Sequence, residues 1–115
     1  MADAQIQIQE KVNGKKAILE IGGELDAKTT PAFKAKLDEV LAKGIDGLLI
    51  DCTRLTYVAS AGIGAMNAAL KTLKDKNGKM ALSGLSKEVR DTMDLMFLTK
   101  RLPVYTNAAE GAKNI

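Results

Sequence analysis

The sequence has no histidine and no tryptophan, one cysteine, two prolines, and only two tyrosines and two phenylalanines. Each scarcity excludes something. Without histidine the usual Ser-His-Asp arrangement cannot form, and a metal site would have to rely on one cysteine and scattered acids, so no metal or other cofactor is expected. A lone cysteine makes no internal disulfide, which fits a reducing compartment. Cys52 closes the apolar run from Leu48, so it reads as a small buried side chain and not a reactive thiol. Four aromatics, each inside an apolar pattern, offer bases no stacking platform. The 17 Lys and Arg against 14 Asp and Glu are spread out with no basic run longer than two residues, so no nucleic-acid partner is expected. No apolar run approaches the roughly 20 residues of a membrane-spanning helix, so direct membrane insertion is not expected. The start, MADAQIQIQEK, lacks the basic and apolar parts of an export signal. A cytoplasmic location is the expectation.

What is present is the pattern of one folded domain over residues 1–115, with 46% hydrophobic and 27% charged residues. Residues 5–12, QIQIQEKV, alternate as a half-buried strand does, and Asn13-Gly14 is a hairpin signal because both central residues of the favoured turn need positive φ. A second strand follows over Ala17 to Ile21, ended by Gly22 and Gly23. Thr30-Pro31 begins a helix that runs to about Lys43, with Gly44 as its cap and Phe33, Leu37, Val40 and Leu41 on one face. The run GLLIDC, from Gly47, predicts a central strand, and TRLTYVAS a connection. Ile63, Met66, Leu70 and Leu73 recur at helical spacing over 61–76, ended by Asn77-Gly78. A strand over Lys79 to Ser83, a helix begun by Ser86 with Val89, Met93 and Met96 on one face, a short strand at PVYT and a weak last helix complete an α/β domain with a mixed sheet.

The stretch YVASAGIGAMNAAL puts Ser60 among residues that offer its hydroxyl almost nothing. A Ser-Lys hydrolase stays open on residue types, but the glycine two places before the nucleophile of a strained elbow is replaced by Val58. Gly62-Ile63-Gly64 begins a dinucleotide fingerprint, but Asn67 stands at its third glycine. Two readings of Ser60 remain. As the N-cap of the second helix it would accept an N–H of the first turn, worth about 1 kcal/mol, and the residues alone favour this. Alternatively, the small neighbours Ala59, Ala61, Gly62 and Gly64 leave the hydroxyl open and let a partner's backbone approach. A phosphate there would add nearly two charges at the positive end of the helix dipole and alter the surface without unfolding anything.

Three stretches, GELDAKTT after two strands, LLIDCTRLTYVASAGIGAM, and GKMALSGLSKEVRDTMDLMFLTKRLPVY, together resemble the STAS domain of anti-sigma factor antagonists over nearly the whole chain. The resemblance implies a mixed β-sheet of about four to five strands packed with about four helices. In that family Asp-Ser-Ser-Gly or a similar sequence begins the second helix, and its first serine, matched here by Ser60, is phosphorylated by a partner that is both serine kinase and anti-sigma factor. It implies a cycle: the unphosphorylated protein binds the anti-sigma kinase and frees the sigma factor, phosphorylation ends the binding, and a PP2C-type phosphatase restores it. The chain would then be a binding module and not an enzyme. Ala59 departs from the family's aspartate and Ala61 from its second serine, which removes a charge from the docking surface. The same resemblance implies a partner surface of Glu24, Asp26, Ala59, Ala61, Gly62 and Ile63, with Asp51 supporting the Ser60 loop through hydrogen bonds. Two alternatives are a STAS subunit of a larger assembly, such as a lipid-transport ABC complex, without phosphorylation, and a module holding a nucleotide or other anion at the first amides of the second helix.

Overall fold

The computed structural model describes residues 6–115, so residue 5, where the first strand was expected to begin, and the first part of the segment read for an export signal lie outside it. β1 (Ile6–Asn13) and β2 (Lys16–Leu25) form an antiparallel hairpin. Its two-residue loop is Gly14-Lys15, one place later than expected. Asn13 is the last strand residue, paired with Lys16, and Gly14 alone takes positive φ. α1 (Thr30–Leu41) leads to β3 (Gly47–Val58), α2 (Ser60–Asp75), β4 (Lys79–Ser83), α3 (Lys87–Leu95), a 3-10 turn over Leu98–Lys100, β5 (Val104–Tyr105) and α4 (Ala108–Ala112). The five strands lie in sequence order, and every pairing after the hairpin is parallel. This is the mixed α/β sheet with four helices that the sequence predicted.

Two strands are longer than expected. β2 does not stop at Gly22-Gly23 but runs on to Leu25, and β3 does not stop at Cys52 but takes in TRLTYV. The extensions pair with each other, with register shifts between Glu20 and Gly22 and between Gly23 and Glu24. The glycines belong to this irregularity: Gly23 has φ +93, and a Cβ on Gly22 would stand 3.2 Å from the Cβ of Arg54.

One contiguous core joins Leu19 and Ile21 of β2 and Leu48, Ile50 and Cys52 of β3 to the inward faces of α1, α2 and α3. Each fully buried Leu, Ile or Phe contributes roughly 1.5–3 kcal/mol of transfer free energy. Phe33, Leu37 and Val40 supply the face of α1, with Leu41 at its edge, and Ile63, Met66, Leu70 and Leu73 that of α2. Gly44 takes φ +80 just past α1, and the Gly78 amide donates to the Leu73 carbonyl at 2.7 Å past α2. The Ser86 hydroxyl caps α3 by accepting from the Val89 amide at 3.2 Å. Met96 is not on the buried face as expected, because α3 ends at Leu95 and the chain turns outward there. Leu49 points to the opposite side of the sheet, where Gly111 of α4 lies against it. Among the described residues no helix is long and apolar enough to cross a membrane.

Candidate functional site

Because β2 and β3 are adjacent and parallel, the segments leaving their C-terminal ends emerge side by side. That topology brings the GELD segment, more than thirty residues away in sequence, to the start of α2. The Ala59 amide donates to the Leu25 carbonyl at 2.8 Å and ties the two segments together. Glu24 lies opposite Tyr57 in the ladder, and Leu25 opposite Val58.

Ser60 is not the helix cap. Ala59, with extended φ −100 and ψ 168, takes that position, and its carbonyl accepts from the amides of Gly62 at 3.0 Å and Ile63 at 3.3 Å. Ser60 is the first helical residue and is exposed, and among the described residues its hydroxyl has no hydrogen-bond partner. No acidic side chain occupies the first turn, so the positive end of the dipole is not offset there by a carboxylate.

Of the residues expected to surround Ser60, Ala61 and Glu24 are exposed and Ala59 and Asp26 half-buried. Gly62 and Ile63 are turned inward. A Cβ on Gly62 would stand 2.5 Å from Leu25 Cδ2, so this glycine admits Leu25 and not a partner's backbone. Ile63 is fully buried in the core, which removes its side chain from any docking surface in this conformation. Asp26 builds the loop: its carboxylate accepts from the amides of Lys28 at 2.9 Å and Thr29 at 3.0 Å, while the Thr29 hydroxyl donates to the Glu24 carbonyl at 2.8 Å. The Thr29 amide first, with that of Lys28 and the Thr29 hydroxyl, holds the Asp26 carboxyl below the usual carboxylate range.

Asp51 does not support the Ser60 loop. Ile50 and Cys52 enter the core, and Asp51 between them points to the other face of the sheet. There it is buried and accepts from the hydroxyls of Thr53 at 2.7 Å and Ser83 at 3.2 Å, joining β3 to β4. Tyr57 was missed by the reading of the sequence, which placed it in an apolar pattern; it is 51% exposed beside Glu24. Its signal lay in the polar Thr53, Arg54 and Thr56, which mark the end of β3 as partly solvated. Among the described residues no group of three or more His, Cys, Asp or Glu is placed to hold a metal ion.

The model of the STAS domain matches residues 3–111, and the chain belongs to that family. It is 25% identical over 103 residues to an anti-sigma F factor antagonist of Paenibacillus polymyxa, covering 89% of this chain and 88% of the relative. The solved structure of an anti-sigma factor antagonist from Mycobacterium paratuberculosis superposes with a TM-score of 0.87 at 21% identity, covering 97% of this chain and 95% of that one. The anti-sigma factor antagonist SpoIIAA of Bacillus, solved unphosphorylated and phosphorylated, superposes with TM-scores of 0.77 and 0.69 at 20% identity, over 87% of this chain in each case and 89% and 92% of those chains.

Proposed function

We propose that this protein is an anti-sigma factor antagonist switched by phosphorylation of Ser60. In this reading the unphosphorylated form binds an anti-sigma factor that is also a serine kinase, and the sigma factor is released. The kinase then transfers the γ-phosphoryl group of ATP to Ser60: the Oγ–P bond forms, the bond to ADP breaks, and the hydroxyl proton leaves to a base of the kinase. A PP2C-type phosphatase hydrolyses the ester and restores binding. The chain acts as binding module and substrate, with no chemistry of its own, and works in the cytoplasm with its transcriptional partners.

The observation that carries the reading is the exposed Ser60 hydroxyl, bound to nothing among the described residues, at a helix N-terminus whose first turn holds no acid. Nothing in the fold uses it, so modification leaves the core intact. The docking surface in this reading comprises Ser60, Ala61, Glu24 and the Asp26 loop, with Gly64 and Tyr57, whose exposure supports their inclusion. Two negative charges added at its centre desolvate poorly against a partner and repel acidic groups opposite them. The names of the relatives support the partner class, and the two forms of SpoIIAA support the kind of switch. The test is calorimetric titration of wild type, Ser60→Ala and Ser60→Asp against the anti-sigma kinase of the same cell. Wild type and Ser60→Ala should bind alike and Ser60→Asp at least tenfold more weakly, about 1.4 kcal/mol. Equal binding by all three would sink the switch.

A further inference from the structure

Leu95, Met96 and Phe97 are consecutive large apolar residues, 80%, 40% and 59% exposed, at the outer end of α3. Nothing in the core explains them. Phe97 also takes φ +62, in the left-handed region where a bulky non-glycine residue is uncommon. Asn77, the other described non-glycine residue with positive φ, is of a type that tolerates it. A strained backbone that holds an aromatic ring out in water marks a site of use.

Charged side chains of both signs adjoin the patch. Asp91 and Asp94 line, with Leu95 and Phe97, a shallow depression of about 450 Å³. Lys100 Nζ lies 5.8 Å from the Phe97 ring centroid. Asp91 is paired with Lys87, while Asp94 is held by the Thr99 hydroxyl and, among the described residues, Asp94 and Lys100 have no ion-pair partner. Along the chain, acid, apolar residues and base therefore follow one another.

We propose that this patch is a two-fold interface between two copies of the chain. In such a contact, residue i meets residue j and j meets i. Leu95 and Phe97 would pack on their counterparts, and Asp94 would face Lys100 of the partner subunit at each end. An anionic membrane surface fits less well, because Asp91 and Asp94 would be pressed against like charge. The patch is small, so the dimer is weak and concentration-dependent. This inference does not rest on the Ser60 switch.

The test is sedimentation velocity of the full chain from micromolar to millimolar concentration. Wild type should pass from monomer to dimer. Asp94→Lys and Lys100→Glu should each weaken the dimer roughly tenfold or more, since each places like charges opposite one another. Their equimolar mixture should recover it, because each altered charge then meets its opposite. Phe97→Gly should abolish association while leaving the melting temperature unchanged or raised, since glycine accepts the left-handed backbone. That variant separates loss of contact from loss of fold. A wild-type chain that is monomeric at millimolar concentration, a mixture no better than its parents, or a dimer that survives Phe97→Gly would each overturn the proposal, as would a monomer that binds anionic vesicles through these side chains.

Discussion

The bare Cα of Gly62 faces Leu25 so closely that no methyl group fits between them: a Cβ would stand 2.5 Å from Leu25 Cδ2 and 2.6 Å from its Cγ. Because the branch point of Leu25 is involved, the side chain cannot yield by a simple rotation of its end. We expect Gly62→Ala to lower stability by about 1 kcal/mol, the gain in helix propensity notwithstanding, and Gly62→Val by more. Denaturant titration reads the effect. In a Leu25→Ala background the same Gly62→Ala change should stabilise, and additive costs in the double variant would refute this contact.

The Asp26 loop makes a pH-dependent contribution. Its carboxyl is held low by the Thr29 and Lys28 amides, so the stability it adds is fully present above its ordinary value of about 4 and is lost as pH falls through the lower folded value. The melting-temperature gap between wild type and Asp26→Asn should be largest at neutral pH and should close in acid. An undiminished gap in strong acid would assign the effect to loop packing instead.

Asp51 should matter for the fold and not for the partner. Asp51→Ala leaves the fully buried Ser83 hydroxyl without its acceptor, a loss of about 1–3 kcal/mol. Affinity for the anti-sigma factor should stay within twofold of wild type, roughly 0.4 kcal/mol. A large loss of affinity in a folded variant would return Asp51 to the Ser60 loop.

Cys52 should report unfolding. Its thiol is fully buried, and burial, with the nearby Asp51 carboxylate, pushes its ionisation far above the usual thiol range. A disulfide reagent should leave the native protein untouched and react in step with loss of far-ultraviolet circular dichroism as denaturant is added. Rapid stoichiometric labelling of the native chain would contradict the packing around β3.

Much of the framework was legible because local signals and core packing agree. Phe33, Leu37 and Val40 mark α1 and Pro31 begins it, as in the structure, while the helix ends at Leu41 with Ala42 as its cap, earlier than the expected Lys43, and Gly44 takes its left-handed turn two residues beyond. Legibility failed where pairing overrode local chemistry. Gly22 and Gly23 look like a stop, yet their partners on β3 carry the strand through two register shifts. TRLTYV lacks strict alternation, being buried only at Leu55 and Val58, so the whole of TRLTYVAS reads as a connection and Tyr57 as part of an apolar pattern. At the site, one residue separated a capping serine from a free one, a difference within the ordinary uncertainty of a helix start. The inward turn of Gly62 depends on Leu25, which is brought there by topology, and no spacing within the helix reports it. Asp51 was misplaced because strand alternation fixes the face it points to only once the flanking residues are known to fill the core.

The hydrogen bond between Ala59 and Leu25 ties the start of α2 to the end of β2, and the Ser60 hydroxyl takes no part in it. Under the proposed cycle, the molecule therefore has no internal rearrangement to complete after modification. Its response time would be the turnover time of the enzymes that write and erase the mark, and a cell could tune that delay through their abundance alone.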